Sequence, residues 1–255
     1  MKCFAALARF SAIVLFLCPL MAGAETLRVG FASGTPPYVI ESEKRGLDYD
    51  IVVAAARNAG YEVEPFFAPR ERLFRMLDNG DLDAISCVNA DFHIQAYFSV
   101  PYLEFHNKAI ALASRKLDIK SIADLKNYSI SAFQRARYQL GPEFRKMAEA
   151  NPNYREEPRQ VTRNLRLYAG HVDVAIADQR IFEYFDHEVA DLVDVHQALT
   201  WYTLFPPTHY AAAFKHADVR DRFDAGLAML RKSGEFATIE KRYDSITQTA
   251  SHVHP

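Results

Sequence analysis

Apolar positions along this 255-residue chain gather in short runs separated by longer stretches of mixed polarity. The runs at 27–31 (LRVGF), 61–67, 82–87, 128–132 and 172–176 (VDVAI) are short and rich in branched or aromatic side chains, as strands are. Between them, 50–59 (DIVVAAARNA), 71–77, 139–150, 160–169 and 179–185 carry helix-forming residues, with Gly60, Asn79, Gly80 and Gly170 where helices stop. Ser121 and Asp124 make a capping box that opens a further short helix. Residues 220–232 and 236–243, on either side of Gly234, read as two closing helices. Strands alternating with helices of about 8–14 residues predict an α/β protein with parallel sheets and crossover helices.

One joint occurs twice. Residues 77–83 (LDNGDLD) and 167–173 (LYAGHVD) share L-x-x-G-x-[LV]-D, and each marks a helix end, a glycine turn and the start of a strand. No third copy follows, so the repeat is read as equivalent units in two similar lobes rather than as a solenoid.

The first 24 residues differ from the rest. Lys2 and Arg9 make a basic start, 10–21 is apolar, and 22–24 (AGA) precede Glu25. That order predicts a signal peptide cleaved after Ala24, and hence a periplasmic protein. An apolar core of about 12 residues falls short of the roughly 20 that span a bilayer. Loss of Lys2 and Arg9 from the 30 basic residues leaves 28 against 32 acidic ones, a balance with nothing to offer a nucleic acid. Cys3 and Cys18 leave with the leader. Cys87 alone cannot form an internal disulfide or a C-x-x-C zinc site, and is expected as a buried, inert thiol. No G-x-S-x-G, H-E-x-x-H or paired-carboxylate signature occurs, so no catalytic residue, metal or cofactor is expected. His252 and His254 form an H-x-H tail, read as a frayed end rather than a metal site.

The order and spacing of several segments carry a resemblance. They are 27–31 (LRVGF) with 36–38 (PPY), 45–50 (RGLDYD), 79–85 (NGDLDAI), 98–102 (FSVPY), 122–126 (IADLK), 170–178 (GHVDVAIAD) and 234–243 (GEFATIEKRY). Together the chain resembles the bacterial extracellular solute-binding proteins of family 3, related to the polar amino-acid receptors of ABC transporters. The resemblance implies a two-lobe periplasmic-binding-protein fold of type II. Lobe one would be 25–112 with 210–247, lobe two 113–209, and 248–255 a flexible tail. The strands crossing between lobes would be 109–114 and 209–214. It implies a monomeric, non-enzymatic receptor that closes on one small molecule in the cleft and serves an inner-membrane ABC permease or a sensor. Two alternatives share the scaffold. One is an accessory protein that has lost its ligand. The other is an enzyme similar to the cyclohexadienyl dehydratases, for which Glu104, His106, His93 and Asp178 are the available acids and bases.

Departures from the family pattern shape the expected site. Amino-acid receptors of the family carry an arginine shortly before the F-S-x-P-Y segment, where it pairs with the ligand carboxylate. Here 89–97 reads NADFHIQAY, and no Arg or Lys stands between Arg75 and Lys108. The Gly/Thr-rich anion loop of lobe two is replaced by 133–137 (FQRAR). The expected ligand is therefore a small anionic or zwitterionic metabolite other than a standard α-amino acid.

Five residues make up the candidate site. Arg135, with Arg137, stands where a strand meets a helix start; a cation there costs up to about 1 kcal/mol, so a compensating anion is expected, either ligand or a nearby carboxylate. Arg72, after Pro69, resembles an arginine of divergent family members and could replace the missing one; its alternative is a surface pair with Glu71 or Asp78. Asp178 matches the family's acidic residue for a ligand ammonium, or caps the next helix. Tyr38 matches an aromatic lining the cleft, or packs in the core. Asn89 offers both donor and acceptor. Trp201 and Tyr202, near the return crossing, read as packing. The sharpest expectation is an anion clamped between Arg72 and Arg135, one from each lobe.

Overall fold

The computed structural model describes residues 24–250, with side chains through residue 244. In the first sheet, β1 (Glu25–Ala32) runs parallel to β2 (Tyr61–Ala68) on one side and to β3 (Ala84–Val88) on the other. The crossovers are α1 (Leu47–Asn58) and α2 (Arg70–Asn79). Two short pieces, β4 (Tyr97–Phe98) and β5 (Leu103–Phe105), belong to the same lobe.

The second sheet repeats that plan. It contains β6 (Asn107–Leu112), β7 (Ile130–Phe133), β8 (Tyr154–Glu157), β9 (Val174–Asp178) and β10 (Leu199–Tyr202). β7 runs parallel to both β8 and β9, while β6 lies antiparallel between β9 and β10. The helices of this lobe are α3 (Ala136–Gln139), α4 (Gly141–Ala150), α5 (Gln160–Tyr168) and α6 (Gln179–Val189). β11 (Thr208–Phe214) then returns to the first sheet, antiparallel to β3, β4 and β5. α7 (Ala217–Lys232) and α8 (Glu235–Ala250) complete lobe one. Strand order is β2-β1-β3-β11 in one sheet and β8-β7-β9-β6 in the other.

The duplicated joint does the same work twice. Gly80 and Gly170 adopt φ of +83° and +70°, the left-handed turn that ends a helix and that a side chain disfavours. Three residues on, each aspartate ties the coming strand to its parallel neighbour. Asp83 accepts the Arg28 N–H at 2.8 Å, and Asp173 accepts the Ser129 N–H at 3.0 Å.

Several expectations need correction. The chain first passes between sheets at Phe105–Asn107, because β5 bonds to β11 while β6 bonds to β9 and β10. The boundary expected after residue 112 therefore moves earlier, and 107–112 is a lobe-two strand. The physical reason is burial: Ala109, Ile110 and Leu112 fill the lobe-two cores. The return passage lies within 203–207, so 209–214 is a lobe-one strand rather than a crossing. Helix 139–150 is two helices, broken at Gly141, where φ is +89°. α8 runs to Ala250, so 248–250 of the expected tail is helical. The predicted signal peptide, apart from Ala24, and the histidines of the tail lie outside the described residues. α6 bridges the lobes, since Ile181 and Phe185 pack in the lobe-one core.

Candidate functional site

The lobes enclose a cavity of about 500 Å³. Its walls are the carboxyl ends of β1, β7 and β9 and the starts of α2 and α5, the place where open α/β sheets present ligand sites.

From lobe one, Arg70 reaches the cavity. A bulge sets its position. β11 advances two residues, Ala211 to Ala213, while β3 retreats three, Val88 to Ile85, and Cys87 takes φ of +52°. The Cys87 carbonyl then accepts Arg70 Nη1 at 3.1 Å. The Cys87 N–H donates to the Tyr102 hydroxyl at 3.4 Å, which in turn donates to Asp48 Oδ1 at 2.7 Å. Asp48 also accepts Ser86 Oγ. Complete burial pushes the Asp48 carboxyl up to about 6 despite those two donors. The Arg70 guanidinium lies over the Phe92 ring at 4.8 Å. Cys87 is free and buried, and its thiol is pushed far up by desolvation.

From lobe two, Asp178 ends β9 and caps α6. Its Oδ1 accepts the Ile181 N–H at 3.1 Å and the Tyr38 hydroxyl at 3.1 Å, and its Oδ2 accepts the His106 N–H at 2.7 Å. Burial raises this carboxyl, and the two backbone donors oppose the rise. Tyr38 is fully buried and stacks on Phe105 at 4.1 Å, and burial holds its phenol well above the usual range. Asp178 thus fastens a lobe-one side chain and the first crossing to lobe two. Tyr38 is outside the cavity lining.

The arginines of 133–137 find protein carboxylates. Glu156 accepts both backbone N–H groups, Arg135 at 2.7 Å and Arg137 at 3.1 Å, and also Arg137 Nε at 3.1 Å. The compensating anion expected at this helix start is therefore Glu156. The Arg135 guanidinium instead crosses the cleft to Glu71 Oε1. Arg72 is exposed and absent from the cavity lining. Arg70, one half-turn earlier, takes the inward position, because α2 buries Leu73 and Leu77 and so turns position 72 outward. The expected Arg72–Arg135 clamp is corrected accordingly. Asn89 caps a turn, accepting the Asp91 N–H at 3.2 Å, and is also outside the lining.

Arg163 is the residue that sequence reading missed. It lies in the cavity wall yet is only 1% exposed. Burial pushes its guanidinium down to about 10, with Asp178 and Asp186 acting the other way. Asp186, itself raised to about 7 by burial, holds Asn164 Nδ2 at 2.9 Å and the Tyr168 hydroxyl at 3.0 Å. The available signal was periodicity: 163, 164, 167 and 168 share the buried face of α5, so an arginine occupies a core position.

The remaining candidates lie elsewhere. Glu104 and His106 border a separate depression and are absent from the cleft lining, and His93 is exposed outside the cleft. Trp201 packs edge-on against Phe182 at 5.6 Å, and Tyr202 donates to the Leu117 carbonyl at 2.8 Å. No group of three or more metal-ligating side chains occurs among the described residues.

Two similar α/β lobes with strand ends facing a shared charged cavity define a binding-protein architecture. The chain belongs to the bacterial extracellular solute-binding proteins, family 3, whose sequence profile matches residues 27–245. No curated protein matches it significantly. Among solved structures, an ancestral arginine-binding protein bound to arginine aligns at TM-score 0.67 and 22% identity, over 87% of this chain and 99% of that one. A histidine kinase sensor domain with similarity to periplasmic binding proteins aligns at 0.69 and 20%, over 87% and 96%. An ancestral amino-acid-binding protein, a precursor of cyclohexadienyl dehydratase, aligns at 0.64 and 18%, over 86% and 95%. These likenesses show the fold.

Proposed function

We propose that the protein is an exported, monomeric periplasmic receptor that captures one small anionic or zwitterionic metabolite by hinge closure. It then serves an ABC-type permease or a sensor. The observation that carries this reading is the charge of the cavity wall. Arg70, Arg159 and Arg163 line it, and no ion pair among the described residues includes any of them. The lining carboxylates are mostly committed: Glu71 to Arg135, Glu157 to Arg166, and Asp178 to three neutral donors. Glu188, exposed, remains for a cationic group. A cavity of about 500 Å³ suits a small metabolite. Family membership and the likeness to a sensor domain support both destinations.

Binding alone provides this function. A ligand touching both lobes favours the closed state by its differential affinity, and the partner reads that state. A thermal-shift screen of residues 25–255 over carboxylates, amino acids, amines and sugars tests the reading. A ligand of the native state raises the melting temperature by mass action, and anionic or zwitterionic compounds are expected to do so. A screen in which no class shifts the melt would contradict it.

A further inference from the structure

Arg163 stands in the wall of the cleft with two of its three guanidinium nitrogens unpartnered. Nη1 donates to Gln160 Oε1 at 2.5 Å, one turn back on α5. Nε and Nη2 are buried and have no hydrogen-bond partner. No ion pair among the described residues includes this guanidinium. A buried, unpaired cation is strongly unfavourable, so such an arrangement persists only where something else completes it. The carboxylates that act on it electrostatically, Asp178 and Asp186, are held by other donors. The Phe182 ring centroid lies 5.9 Å from the guanidinium carbon.

The two open atoms form one edge of the guanidinium. Elsewhere in this molecule the same edge holds a carboxylate: Arg28 donates through Nε and Nη2 to Asp83, at 3.0 and 2.7 Å. Two parallel N–H groups at that spacing match the two oxygens of a carboxylate and select for it over a single-oxygen acceptor. The start of α5 adds to this. Its first turn holds no acidic residue and its Arg159 N-cap side chain makes no capping bond, so the positive end of the helix dipole is not neutralised locally.

We propose that Arg163 receives a ligand carboxylate side-on, which makes the ligand a small carboxylic acid anchored to lobe two. The inference deepens the receptor reading above and rests on it. Arg70 lines the same cavity from lobe one, so closure brings a second cation toward the bound acid.

Calorimetry on the mature protein tests the inference. The probes are succinate, glutarate, L-glutamate, L-leucine and benzoate, each beside its carboxamide counterpart, with putrescine and glucose as cationic and neutral probes. At least one carboxylate is expected to bind the parent, and its amide to bind about 10- to 150-fold more weakly, the value of a charged hydrogen bond. That comparison needs no variant to fold. Arg163→Met should weaken the same carboxylate by a similar factor, and Arg163→Lys should fall between, since the charge stays and the fork is lost. Ligand-free Arg163→Met should also melt above the parent, because an unpaired buried charge has gone. A purely structural arginine would give the opposite sign. Arg155→Ala, exposed on β8, should bind as the parent does. Unchanged affinity in Arg163→Met overturns the inference. Binding of putrescine or glucose alone also overturns it, and with it the anionic or zwitterionic nature of the ligand, but leaves the protein a small-molecule receptor. Binding of no probe in any class overturns both.

Discussion

Glu71 and Arg135 meet across the mouth of the cleft, Oε1 to Nη1 at 2.7 Å, one from each lobe. Both side chains are about half exposed, so the pair is a latch of modest strength, worth at most about 1 kcal/mol, or roughly fivefold in the closed population. Arg135→Gln is expected to weaken binding no more than about fivefold, and salt near roughly 0.5 M should weaken the parent by up to about fivefold more than the variant, which has no latch left to screen. Titrations at two ionic strengths measure this. A loss well beyond tenfold would instead make Arg135 a direct ligand contact.

Asp48 lies beneath the bulge that presents the Cys87 carbonyl to Arg70, and its titration should be visible in stability. Its folded pKa, about 6, exceeds the ordinary value of 3.8. The folded protein therefore holds the proton more tightly. The stabilisation is complete below about pH 4 and is lost as pH rises to about 6, by on the order of 3 kcal/mol. Asp186, raised to about 7, acts in the same direction and carries the decline further. In urea unfolding between pH 4 and 7, Asp48→Asn should show a shallower decline than the parent. Parallel curves would refute the assignment.

Gly226 offers a stability test of the lobe-one core. Alanine for glycine inside a helix ordinarily stabilises by roughly 0.5–1 kcal/mol. Here α7 presses on α1, and a Cβ at Gly226 would meet the Ala55 carbonyl oxygen at 2.2 Å and Ala59 Cβ at 3.1 Å. Backbone must shift to admit it, so Gly226→Ala should lower the melting temperature. A rise would mean that the two helices separate freely.

The legible part of this protein was the part set by short-range pattern. The strand–helix alternation, the two L-x-x-G-x-[LV]-D joints and the distributed family segments each follow from local geometry that a sequence states directly. The short strands β4, β5, β8 and β10 do not show in the sequence because two to four residues carry no usable period. The lobe boundary was misplaced because β6 is apolar enough for either sheet, and only pairing with β9 decides. At the site, the resemblance points to Arg72 while the structure turns Arg70 inward, because a helix start does not reveal which of two arginines faces the cleft. Arg163 shares the buried face of α5 with Leu167, but a single arginine in a helical pattern does not show by itself that it lies inside. The cross-cleft pairing of Glu71 with Arg135 joins residues sixty-four positions apart, which no local rule reports.

The central claim is that the lobes close on one small acid. Small-angle scattering tests it most directly, on residues 25–255 with and without saturation by the carboxylate that raises the melting temperature furthest. The account predicts a smaller radius of gyration with ligand, and a larger ligand-free radius for Arg135→Gln than for the parent. An unchanged radius at saturation, in a protein that calorimetry shows to be fully occupied, would contradict it.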